Sequence, residues 1–144
     1  MATRIKIDQA EPAGYKAILG LEKFIESTPL TATHKDLIKI RASQINGCAF
    51  CIDMHTKEAR KSGETEQRIY ALNAWRDTPF FTKEERTILA LTEEVTLISN
   101  HVKDQTYQEA LEALGETYLA QVILAIITIN AWNRIGITTQ LIPG

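Results

Sequence analysis

Only two cysteines, four prolines and seven glycines occur among the 144 residues. Two cysteines separated by two residues cannot staple a small secreted scaffold, so a disulfide-rich fold is excluded. Positive charge is not in excess. Lys and Arg number 16 against 18 Asp and Glu, the formal net charge is −2, and the cations are scattered, which excludes nucleic acid as a primary partner. No long apolar run is uninterrupted: Tyr118 to Ile137 is broken by Gln121, Thr128, Asn130, Asn133 and Arg134, whereas a membrane span needs roughly 20 predominantly apolar residues. That stretch reads as a buried helix with no membrane partner. Met1 to Ala10 carries Arg4, Lys6 and Asp8 among single apolar residues and lacks the apolar core of a signal peptide, so a cytoplasmic location is expected. Low hydrophobicity is also missing. With 44% hydrophobic and 24% charged residues, the composition is that of one globular domain over residues 1–144.

The few glycines and prolines fall between helix-length segments, as punctuation. Ala13 to Ser27 reads as an amphipathic helix through Tyr15, Ile18, Leu19, Leu21, Phe24 and Ile25. A second helix begins near Thr33 and stops at Asn46-Gly47, a pair suited to the left-handed backbone past a helix end. Ala49 to Ser62, with Gly63 as its cap, and Thr65 to Trp75 are expected to be helical. Thr82-Lys83-Glu84-Glu85 is a capping box, in which the threonine hydroxyl and the glutamate three residues later satisfy each other's amides. Asp104 to Leu114 and Glu116 to Ile135 complete the helices. Only Arg4 to Ile7 could be extended. The expected class is all-α, with about seven helices and no internal repeat.

Cys48-Ala49-Phe50-Cys51-Ile52-Asp53-Met54-His55 carries the chemistry. At about 100° per residue, Cys51 falls about 60° from Cys48 and His55 about 20° from it, so the three share one helix face. Two thiols at a helix start can close a disulfide, and the free amides and dipole there favour a thiolate. His55 is spaced to take or return a proton. A thiolate, a base and a second thiol are what peroxide reduction or disulfide exchange requires. Buried, inert cysteines are the competing reading. Zinc would need a fourth ligand from His34, His101 or a carboxylate, and no metal is expected. Haem attachment is excluded because Ile52, not histidine, follows Cys51. Asp36, twelve positions before Cys48, either relays protons or closes a capping box with Thr33. His34 and His101 read as surface histidines, Trp75 and Trp132 as packing residues, and Glu93-Glu94 as a solvated face.

The stretch Lys39 to His55, with Leu72-Asn73-Ala74-Trp75-Arg76, Phe81 to Arg86 and Ile129-Asn130-Ala131-Trp132-Asn133-Arg134, resembles the carboxymuconolactone decarboxylase-like family, and within it the alkylhydroperoxidase D-like branch. The resemblance implies an all-α fold with the Cys-x-x-Cys at a helix start, and a homo-oligomer, trimer or hexamer. It implies a peroxidase in which Cys51 attacks the hydroperoxide, Cys48 resolves the product, and His55 relays protons. Asp36 stands where the family has a glutamate, and Phe50 where well-studied peroxidases of the branch have a histidine. Decarboxylating members generally lack the cysteine pair. The expected activity is thiol-dependent reduction of a hydroperoxide, with an external dithiol as reductant and no cofactor. A thiol–disulfide oxidoreductase and a non-catalytic redox-sensing oligomer are the alternatives.

Overall fold

Pro12 opens a helix where its missing N–H is no loss, and the chain then turns through one helix after another. The computed structural model describes residues 3–144; the first two residues of the Met1 to Ala10 segment lie outside the described residues. The α-helices are α1 (Ile7–Ala10), α2 (Pro12–Ser27), α3 (Ala32–Asn46), α4 (Ala49–Lys61), α5 (Glu66–Tyr70), α6 (Lys83–Thr96), α7 (Asp104–Leu114) and α8 (Glu116–Thr138), with 3-10 helices at Leu72–Asp77 and Ile98–Asn100. The class is all-α as expected, and no strand occurs among the described residues. Lys6 is extended without pairing.

Helix α3 is central, packed against α4, α6 and α8. Ile38 and Ala42 join one core cluster with Ile88, Val122, Ile126 and Ile129, while Leu37 and Ile40 join another with Leu72, Trp75 and Leu89. Helix α8 is long and apolar enough to cross a membrane by length and composition; in this fold it buries Leu119, Val122, Ile126 and Ile129 in the core and leaves Ile127 and Ile137 exposed. By contrast, α2 fully buries only Ile25, and its Leu19 and Phe24 stay partly exposed.

Local chemistry sets most boundaries. Gly47 ends α3 at φ 71°, and Gly63 follows α4 at φ 95°, both left-handed. The capping box at Thr82 forms in both directions with Glu85. Other expectations are corrected. Thr31, not Thr33, caps α3 by accepting from the His34 amide at 3.1 Å, so Thr33 and Asp36 lie inside the helix and form no capping box. Thr65 to Trp75 is not one helix: α5 ends at Tyr70, and a 3-10 segment kinked at Ala74 brings Leu72 and Trp75, both buried, into one core cluster. Helix α8 runs three residues past Ile135 and closes with Leu141 N–H on the Gly136 carbonyl.

Side-chain partners correct two more readings. His34 is buried, its Nδ1 2.6 Å from the Tyr118 hydroxyl. Glu93 is no solvated side chain; it accepts from Arg41, Arg76 and Trp75, which hold its carboxyl below the usual range against the opposing effect of burial. His101 is exposed, as expected.

Candidate active site

The turn from α3 to α4 is anchored from below. Asn46, the last residue of α3, donates both amide hydrogens into α8, to Asn130 Oδ1 and Asn133 Oδ1, each at 2.9 Å. Asn133 is fully buried and donates in turn to Ser43 Oγ at 3.0 Å. A satisfied amide network of this kind, buried at Asn133 and Ser43, favours one geometry, because a shift there leaves a buried donor without a partner. Gly47 then turns the chain, and Cys48 becomes the N-cap of α4 with its Sγ accepting the Cys51 amide at 3.4 Å.

Cys48 and Cys51 are joined as a disulfide, with their Cα atoms 5.3 Å apart, and both are at most 2% exposed. They are not equivalent. Cys51 lines a cavity of about 390 Å³ between α2, α4 and α8, and Cys48 does not. Cys48 lies against Gly136 of α8, where an added Cβ would sit 2.9 Å from its sulfur. Only glycine admits the α8 backbone so close.

His55, one turn after Cys51, lines the same cavity and is buried. Its Nδ1 is 3.2 Å from Glu58 Oε2, while its buried Nε2 has no hydrogen-bond partner. A carboxylate on Nδ1 selects the tautomer protonated there, which leaves the Nε2 lone pair free to accept a proton. Burial, and secondarily the Lys39 ammonium, push the imidazole below its ordinary value against the opposing effect of Glu58. The ring is therefore neutral near pH 7 and competent as a base.

Asp36 is elsewhere. It lines an adjoining polar hollow with Ser62, Gly63, Glu64, Arg68 and Glu85, beside the C-terminal end of α4, and makes no hydrogen bond to His55. Burial raises its carboxyl to about 6, Glu58 and Glu64 adding to the effect and Lys39 opposing it. The structure thus brings together Cys48, Cys51 and His55, and gives His55 the carboxylate of Glu58. Sequence reasoning missed Glu58, whose His-x-x-Glu spacing on one helix was the available signal. It also missed Lys39, which lines the cavity 3.1 Å from Glu22, and Glu22 itself, which accepts from Trp132 Nε1 at 3.1 Å. Trp132 packs edge-on to Tyr15 and walls the cavity, so it does more than fill the core. Among the described residues, no three His, Cys, Asp or Glu side chains gather to hold a metal ion.

The all-α fold that holds this disulfide and histidine is shared with known proteins. The Carboxymuconolactone decarboxylase family model matches residues 12–94, and the chain belongs to that family, with an AhpD-like fold. It is 46% identical to the uncharacterized protein YdfG of Bacillus subtilis over 95% of this chain and 94% of that one. A crystal structure from Agrobacterium tumefaciens, a protein of unknown function described as a putative antioxidant defence protein AhpD, superposes with TM-score 0.95 at 37% identity over 99% of both chains. The debrominase Bmp8, solved with 2,3,4-tribromopyrrole, shares the fold at TM-score 0.85 and 18% identity, over 94% of this chain and 73% of its own.

Proposed function

We propose that the protein is a thiol-dependent peroxidase that reduces hydroperoxides through Cys51 and Cys48. The observation that carries this reading is that Cys51 and His55 line one cavity, that the buried His55 Nε2 has no hydrogen-bond partner, and that the second sulfur, outside the lining, is bonded to Cys51. In the dithiol form, His55 Nε2 takes the Cys51 proton, and the thiolate attacks the terminal oxygen of the hydroperoxide. The O–O bond breaks, the alkoxide leaves with the proton from His55 as an alcohol, and Cys51 becomes a sulfenic acid. Cys48 then attacks that sulfur; the hydroxyl departs with the Cys48 proton as water, and the disulfide closes. Two electrons pass from the thiols to the peroxide, and an external dithiol returns them. In this reading Glu58 orients His55, Asp36 supplies a proton reservoir at the neighbouring hollow, and the enzyme is a cytoplasmic homo-oligomer.

A second reading, thiol–disulfide exchange, is favoured by the Cys51 amide bond to Cys48 Sγ, since an N-capping sulfur is stabilised as thiolate. One experiment separates the two. Reduced protein is mixed anaerobically with one equivalent of organic hydroperoxide, and thiol loss is followed for wild type, Cys51→Ser and Cys48→Ser. Fast loss of two thiols that needs Cys51, with sulfenic acid trapped in Cys48→Ser, supports the peroxidase. Thiols that persist as free cysteine does, while a disulfide substrate oxidises them quickly, support exchange.

A further inference from the structure

The walls of the Cys51 cavity are mostly apolar and partly aromatic. Tyr15 and Leu19 come from α2, Phe50 from α4, Trp132 and Ile135 from α8, and Leu141 from the tail beyond it. Its volume of about 390 Å³ lies within the range for small-molecule sites, roughly 300–1,000 Å³. Hydrogen peroxide would leave most of that wall uncovered.

The charges at the rim are unequal. Among the described residues, Lys39 is the one cation lining the cavity, and its ammonium is already held by Glu22 at 3.1 Å and Glu26 at 3.9 Å. Glu58, on His55, is a third carboxylate, and His55 is neutral. Lys35, which does not line the cavity, also reaches Glu26 at 3.7 Å, so three carboxylates stand against two ammoniums that are both already paired, and neither is free for an incoming anion. A carboxylate drawn from water into this space would lose hydration and meet net repulsion.

We infer that the cavity takes an uncharged organic hydroperoxide with an aromatic or branched apolar body and discriminates against carboxylate-bearing ones, because Glu22, Glu26 and Glu58 outnumber Lys39 and Lys35, both of which are already paired. The inference rests on the peroxidase reading, and names its substrate class. A like charge held several ångströms from two or three carboxylates in a partly desolvated site lowers reactivity by at least about tenfold. Glu22 has a second task, since it clamps Trp132 and Lys39 together; Gln at this position keeps an acceptor for both while removing the charge.

The test uses matched probes on the full chain. Reduced protein is oxidised by cumene hydroperoxide, its para-carboxylated analogue and hydrogen peroxide. In parallel, the disulfide form is titrated by NMR with the two corresponding unreactive alcohols. The neutral probe is expected to react and bind at least about tenfold better than the carboxylate, and the double variant Glu22→Gln, Glu26→Gln to narrow that ratio to about threefold or less. Glu26→Gln alone, at a more exposed position, narrows it partly and serves if the double variant fails to fold. Probes that bind and react within twofold of each other, or a ratio unmoved by charge removal, overturn the inference. If no peroxide oxidises the thiols faster than free cysteine, the peroxidase reading falls, and the alcohol pair still decides the charge rule.

Discussion

Gly136 on the last helix lies so close to Cys48 that a Cβ built on it would be 2.9 Å from the Cys48 sulfur and 3.7 Å from that of Cys51. The two residues are 88 positions apart, and the contact holds the disulfide against the core helix. Gly136→Ala is expected to destabilise the protein by about 1–3 kcal/mol through overpacking, despite alanine's better helix propensity. Gly20→Ala is the control, because its Cβ meets nothing within 4 Å; it is expected to stabilise by about 0.5–1 kcal/mol. Urea midpoints of both variants check the pair.

Glu58 acts through His55. Its side chain is about half exposed, so Glu58→Gln is expected to change stability by less than about 0.5 kcal/mol, while peroxide-driven thiol loss slows by about tenfold as the imidazole loses its orienting carboxylate. Stopped-flow thiol titration beside denaturation of the same variant measures both. Equal rates would remove Glu58 from the relay and return attention to Asp36.

His55 titrates below the ordinary histidine value because of burial and, secondarily, Lys39. Its neutral form is thus favoured by folding, and the unfolded chain binds the proton first. This contribution to stability is present above about pH 6.5 and is lost as pH falls through that value toward the folded one. Lys39→Met removes the cation and is expected to move the His55 titration upward, together with the acid limb of thiol oxidation. Histidine ring NMR signals followed against pH report the change directly.

Asp36 behaves in the opposite sense. Its carboxyl is raised to about 6, so the folded chain holds a proton that the unfolded chain releases near pH 4. The stabilising contribution is present at acid pH and is lost as pH rises through about 6. Asp36→Asn is therefore expected to stabilise at pH 7.5, by about 1 kcal/mol once solvent screening of this half-buried group is allowed for, and to be near neutral at pH 4. Thermal melts at the two pH values decide it. A large loss of thiol-oxidation rate in the same variant is expected if Asp36 supplies protons to the site from its separate hollow, and an unchanged rate would remove it from the relay.

What could be read along the chain was what depends on near neighbours in sequence. The capping box at Thr82 and Glu85, the left-handed stops at Gly47 and Gly63, and the shared face of Cys48, Cys51 and His55 all follow from contacts within one helical turn. The same local rule put Glu58 within reach of His55, although its spacing went unread. Tertiary packing decided what lies between helices. It settled that α2 leaves its apolar face beside a cavity, that Lys39 and Glu22 line that cavity with Trp132, and that Asp36 opens into a different hollow. It also buried His34 and drew the partly buried Glu93 into an ion-pair cluster, although both look like surface residues in the sequence, because their partners Tyr118, Arg41 and Trp75 arrive from distant segments. Periodicity specifies which residues share a helix face; only the crossing of α3, α4 and α8 specifies what that face meets.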